Sequence, residues 1–226
     1  MLRRLLMPML FSAAACTPQP PAPAESAGQP ATLPAPATNC ATPEQAEKIR
    51  TYYTSERPGV PLAVASRAFE VPEAIIASAL PPEQSIGVDA SPEITGEIWR
   101  SIESWGAATN VTLVITPSSQ HAFAFPSLVP VNQDDNADGY LDVYADSGNG
   151  VHSHIQIKYV SKIFASDITT AEANRRTRGV SFFSSDGHLI IGVYASINKD
   201  AFDLAAVTGF DRTWALIGTM PRACQS

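Results

Sequence analysis

Charge is what this 226-residue chain has little of: 16 % of its residues are Asp, Glu, Lys or Arg, and 15 basic side chains are outnumbered by 22 acidic ones. A net charge of −7 argues against non-specific binding to a phosphate backbone. Long apolar runs are missing as well. The N-terminal one, residues 5–11, is too short to cross a bilayer as a mature helix. The motifs of classical nucleophilic or zinc hydrolysis are absent: neither Gly-x-Ser-x-Gly nor His-Glu-x-x-His occurs. Ser196 and Lys199 fit Ser-x-x-Lys, but the companion motifs of that pattern are missing. Cysteine is limited to Cys16, Cys40 and Cys224, and there are only 4 histidines.

Proline is abundant but uneven. Of 19 prolines, several crowd into residues 18–36, and that crowding marks a boundary. Before it, residues 1–16 read as an export signal: Arg3 and Arg4 give a positive start, a short apolar run follows, and small residues lead to Cys16. The pattern resembles a bacterial lipoprotein signal, which would make Cys16 the lipidated N-terminus and put the protein in the cell envelope, facing the periplasm or the cell surface. Ala13 stands where such signals carry a large aliphatic, and ordinary cleavage after Ala13-x-Ala15 fits the same residues. Residues 17–39, rich in Pro and Ala, cannot bury a core and read as an extended tether to a domain over 40–226. In an oxidising compartment Cys40 and Cys224 would pair; the alternative is two free thiols.

The domain begins with a capping box: Thr42, Pro43 at the first helical position, and Gln45. Arg57-Pro58-Gly59 breaks that helix, and two short helical patterns follow, near 60–69 and 72–80. Glu70, Glu73 and Glu103 read as helix-surface charges. A helix capped by Ser91 carries a stripe of Ile94, Ile98, Trp99, Ile102 and Trp105, which reads as core. From Asn110 the hydrophobic period becomes two. Strands are predicted at 111–116, 121–125, 140–144, 151–157 and 159–165, and in a hairpin over 179–194 whose turn is Ser185-Asp186-Gly187. A short helix near 199–207 closes the chain. The fold class is α+β: a small N-terminal helical subdomain, a meandering antiparallel sheet of about seven strands, and a short C-terminal helix. One sheet face would need a partner sheet, a second subunit or a ligand.

Two stretches carry candidate chemistry. In Gly150-Val151-His152-Ser153-His154, the histidines stand two apart, so in a strand both imidazoles share one face. Such a pair can hold iron, zinc or copper, or be two solvated side chains on a half-exposed strand. The second stretch, Asp134-Asp135-Asn136-Ala137-Asp138-Gly139-Tyr140-Leu141-Asp142, has the front half of a calcium loop. Asp134, Asn136, Asp138, the Tyr140 carbonyl and Asp142 would supply the oxygens. The bidentate acid of the last position is missing, since Ala145 stands there, and a polar turn fits as well.

The order of pieces resembles the HutX/ChuX family of bacterial haem-utilisation carriers. The resemblance rests on Phe69-Glu70-Val71-Pro72-Glu73 through Leu80-Pro81 and on Ile98-Trp99-Arg100-Ser101-Ile102-Glu103-Ser104-Trp105-Gly106. It continues with Gly139-Tyr140-Leu141, the histidine strand, and Val180-Ser181-Phe182-Phe183-Ser184-Ser185-Asp186-Gly187. It implies a homodimer-forming antiparallel sheet with a haem cleft, and a carrier rather than an enzyme. His154 matches the family's strand histidine, with His152 beside it and Tyr140 as an aromatic after glycine; each could hold haem iron. Lys158, Lys162, Arg175 and Arg176 are the cations available for the propionates. Two features depart from the family: no histidine follows the Gly-Tyr pair, and this chain reads as exported whereas the family is cytosolic.

Overall fold

Hydrophobic period and turn chemistry set the elements. The computed structural model describes residues 39–133, 138–172, 174–199 and 203–224. The signal segment, Cys16, nearly all of the tether, Asp134 and Asn136 therefore lie outside the described residues. Helix α1 spans Pro43–Thr51 with the predicted capping box in place, and a π-helical turn, Tyr52–Glu56, extends it. Helices α2 (Leu62–Phe69) and α3 (Glu73–Ala79) follow. Strand β1 is Ser85–Asp89, and α4 is Pro92–Glu103, where the Ser91 side chain accepts from Ile94 N–H. Next come β2 (Asn110–Ser118), β3 (His121–Leu128), β4 (Val131–Asn132), β5 (Tyr140–Tyr144) and β6 (His152–Gln156). The chain ends with β7 (Val160–Thr169), β8 (Arg176–Ser184), β9 (Leu189–Lys199) and α5 (Leu204–Gly218).

The class is α+β and every strand pairing is antiparallel. The described strands number nine and form two sheets, a six-stranded one in the order β1-β7-β8-β9-β2-β3 and a three-stranded one in the order β4-β5-β6. Neighbours in sequence meander within each run, but β2 pairs with β9, through Leu113 opposite Val193, and this joins the first run to the last. The terminal helix begins and ends later than its predicted span, because β9 continues to Lys199 and Asp203 caps α5 through Ala205 N–H.

Helices and the small sheet cover both faces of the large sheet over most of its strands, while the edge strand β3 is largely exposed, with Phe123 at 53 %. Alternate residues face opposite ways. Ile163, Phe182 and Val193 pack with Trp99 and Ile102 of α4, Phe210 of α5, and Leu141 and Ile155 of the small sheet. Phe164, Phe183 and Tyr194 pack with Ile49, Leu62 and Ile76 of α1, α2 and α3. Trp99 and Trp105 are core, as predicted: Trp99 lies against Phe182 at 5.3 Å between ring centroids, and Trp105 Nε1 donates to Thr213 Oγ1 at 2.9 Å. Burial pushes the enclosed Tyr194 hydroxyl up to about 12. Cys40 and Cys224 form a disulfide with Cα atoms 5.4 Å apart. These elements belong to one compact unit, Ala37–Ser226, and among the described residues no helix is long and apolar enough to cross a membrane.

Candidate functional site

The register of β5 and β6 builds the site. Tyr140 lies opposite Gln156, Asp142 opposite His154, and Tyr144 opposite His152, so six side chains share one face of the small sheet. The other face turns Leu141, Val143 and Ile155 into the core, and that burial pins the register. The histidines are therefore extended and side by side, as predicted, with ring centroids 4.6 Å apart. His152 also stacks on Tyr144, with centroids 4.2 Å apart and planes 20° from parallel. His154 Nδ1 is paired with the Asp142 carboxylate. A carboxylate on Nδ1 fixes the tautomer and leaves Nε2 as the outward-facing nitrogen. Asp142 is buried, whereas the His154 side chain is 55 % exposed. Tyr140 joins the same face, where its hydroxyl accepts from Gln156 Nε2 at 3.0 Å.

Among the clefts described, none is lined by His152 or His154. The clefts described for the molecule have other linings: one by Arg67, Glu73 and His188, one by Arg50, Phe164 and Arg222, one by Glu44, Tyr52 and Phe69, and one by Arg100, Gln156 and Lys158. The last touches the histidine face only at its Gln156 end. Of the four cations considered for propionates, Lys162 pairs with Asp89, Arg175 with Glu172 and Arg176 with Asp167. Lys158 has no acidic partner among the described residues; its ammonium lies 5.0 Å from the centre of the Tyr159 ring.

The calcium reading finds no support. Among the described residues no three His, Cys, Asp or Glu side chains converge as a metal site. Asp138 accepts from Tyr140 N–H at 3.0 Å, the local turn bond that Asp favours, and Asp142 faces His154.

Sequence reasoning missed one cluster altogether. Glu73 is not a surface charge but 1 % exposed. Its carboxylate takes Ser66 Oγ at 3.2 Å and Arg67 Nη1 at 3.3 Å on one oxygen, and His188 Nδ1 at 3.2 Å and Leu189 N–H at 3.1 Å on the other. It thereby ties α2 and α3 to the β8–β9 turn. The available signal was that the seven residues of α3, Glu-Ala-Ile-Ile-Ala-Ser-Ala, have almost no polar face, so an acid there follows the helix inward. Glu103 is also half-buried: burial pushes its carboxyl up, while the Asn132 N–H it accepts at 2.6 Å pulls it down.

No protein-family model matches the chain, and no curated protein sequence does. Solved structures do. A protein from Erwinia carotovora aligns over 76 % of this chain and 98 % of its own, at 19 % identity and a TM-score of 0.58. The heme-binding protein ChuX aligns over 77 % of this chain and 99 % of its own, at 16 % identity and a TM-score of 0.57. The heme-degrading enzyme ChuS of Escherichia coli O157:H7 aligns over 76 % of this chain and 47 % of its own, at 11 % identity and a TM-score of 0.51. At these identities the likeness is one of architecture: the chain has the fold seen in the ChuX proteins.

Proposed function

We propose that the chain binds haem, or a similar planar ligand, on the outer face of β5 and β6, as a non-catalytic carrier anchored in the bacterial cell envelope through a lipid on Cys16. The observation that carries this reading is the Asp142–His154 pair, which presents Nε2 outward in the form in which imidazole ligates iron. His152 stands beside it, stacked on Tyr144, and Tyr140 completes an aromatic rim. Lys158 is the cation free to meet a propionate. The fold shared with the heme-binding protein ChuX supports the ligand class. The likeness to ChuS supports a degrading enzyme only by analogy of fold. An open face suits loading and release better than chemistry that must exclude water. In this reading the chain also forms the homodimer that the family resemblance implies. The half-loop at Asp138 and Asp142 lends calcium no comparable support.

Titration of the chain with haemin tests the ligand. A saturable Soret band is expected, and it should be lost or shifted in a double His152→Ala, His154→Ala variant. No band, or one indifferent to both substitutions, overturns the proposal. A second reading is favoured by the exposure of both imidazoles: an envelope protein that keeps the fold and has lost the ligand, so that the face meets a macromolecule instead.

A further inference from the structure

We infer that the cleft between α1, α3 and the β1–β7 edge is a second binding site, for a single-chain amphiphile whose anionic head is a carboxylate or a phosphate monoester. The cleft holds about 540 Å³, within the range of small-ligand sites. Its lining is mixed, with polar surface as extensive as apolar; Ala46, Ala77, Ile86 and Phe164, all nearly buried, belong to the apolar part. Two cations line it, Arg50 from α1 and Arg222 from the segment after α5, and no Asp or Glu does. On a chain of net charge −7, two arginines in one cleft without a carboxylate between them are unexpected.

Neither arginine forms an ion pair among the described residues. Arg50 commits only Nε, which donates to the Ala79 carbonyl at 2.6 Å, so its terminal nitrogens are free to bond. The Arg222 side chain is exposed and makes no hydrogen bond among the described residues, although its backbone bridges to Val88. Ser85 adds a polar group to the lining. It is 7 % exposed, and its hydroxyl is enclosed without a partner among the described residues. Guanidinium forks match the oxygens of carboxylate and phosphate, and the apolar part of the lining would take a short chain behind the head. The chemistry also separates this site from the haem proposal. No His, Tyr or Met lines the cleft, and its one sulfur, that of Cys224, is held in the disulfide, so nothing there can ligate iron.

Calorimetric titration of the full oxidised chain with decanoate, decyl phosphate and decanol tests the inference. One-to-one binding of either anion is expected, with decanol much weaker. Preference for decanoate assigns a carboxylate head and preference for decyl phosphate a phosphate head; both outcomes support the site. Arg222→Gln should weaken the anion roughly tenfold, the value of one charge-assisted pair, with an unchanged melting temperature because the side chain holds nothing in place. Arg50→Gln should weaken the anion similarly but also lower the melting temperature, because it loses the bond to the Ala79 carbonyl. The double His152→Ala, His154→Ala variant should bind the anion as the parent does, so failure here and failure of the haem reading are distinguishable. The inference is overturned if neither anion binds, if decanol binds as tightly as the anions, or if both arginine variants bind unchanged.

Discussion

At the scale of single residues, Glu73 shows how far burial can depart from residue type. A carboxylate at 1 % exposure would be costly without partners, and here each oxygen meets two donors. Glu73→Gln keeps the shape but not the match, because whichever way the amide is turned, its NH₂ faces groups that donate. The expected loss is about 2–3 kcal/mol in urea unfolding. A loss below about 0.5 kcal/mol would mean that the hairpin end does not depend on this carboxylate. Asp142 repeats the theme at the site. Its place in the sequence reading was as a calcium oxygen; the strand register turns it to His154 instead. The residue type was legible, and its partner was not, because only the pairing of Tyr140 with Gln156 decides which side chains meet across the two strands.

At the scale of elements, the β8–β9 hairpin was the most legible part. Asp-Gly between two apolar runs forms the predicted turn, with Gly187 at φ +84°. Here a side chain would also be crowded, since a Cβ would meet Pro72 Cβ at 3.0 Å and Asn39 Cγ at 3.1 Å. The Ser184 hydroxyl bonds to the Asp186 carboxylate and holds its pKa below the ordinary value. A lowered folded-state pKa contributes stability above the unfolded value and loses it as pH falls through the folded one. Asp186→Asn should therefore cost stability near neutral pH, by less than about 1 kcal/mol for an exposed group. The gap to the parent should close below the carboxylate range. Melting curves at several pH values read this, and a gap independent of pH would assign the turn's stability to its backbone alone. Strand β1 and helix α5 were less legible for stated reasons. Five residues of β1, Ser-Ile-Gly-Val-Asp, are too few for a period to emerge. Helix α5 carries Gly209 inside its pattern, which weakens a helical reading, yet a Cβ there would overlap the Trp105 ring. The glycine serves the α4–α5 packing, a contact invisible along the chain.

At the scale of the whole molecule, the α+β class and the antiparallel pairing follow from the sequence of periods, whereas the closure of β2 on β9 does not. That closure depends on which strand edges are left unpaired once the helices have covered both faces, and no local pattern encodes it. The disulfide was legible from cysteine count and the expected compartment, and it links residues 184 apart in sequence. Loop-closure entropy puts its contribution at up to about 5 kcal/mol, with about 2–5 kcal/mol usual for native bridges. A Cys40→Ser, Cys224→Ser variant should melt well below the oxidised parent, and reductant should bring the parent down to the variant. Coincident melting of the two oxidised proteins would show that the bridge only decorates a fold already closed.

The same bond changes how the domain answers to a pull. Tension applied through handles before Cys40 and after Cys224 runs across the sulfurs and short-circuits the 184-residue separation between them. Sheets and helices then bear none of the load, and a force trace would show almost no lengthening until a thiol cuts the clasp. If the segment ahead of Cys40 is a leash to a membrane, drag on a neighbour joined after Cys224 reaches the anchor without unravelling what lies between.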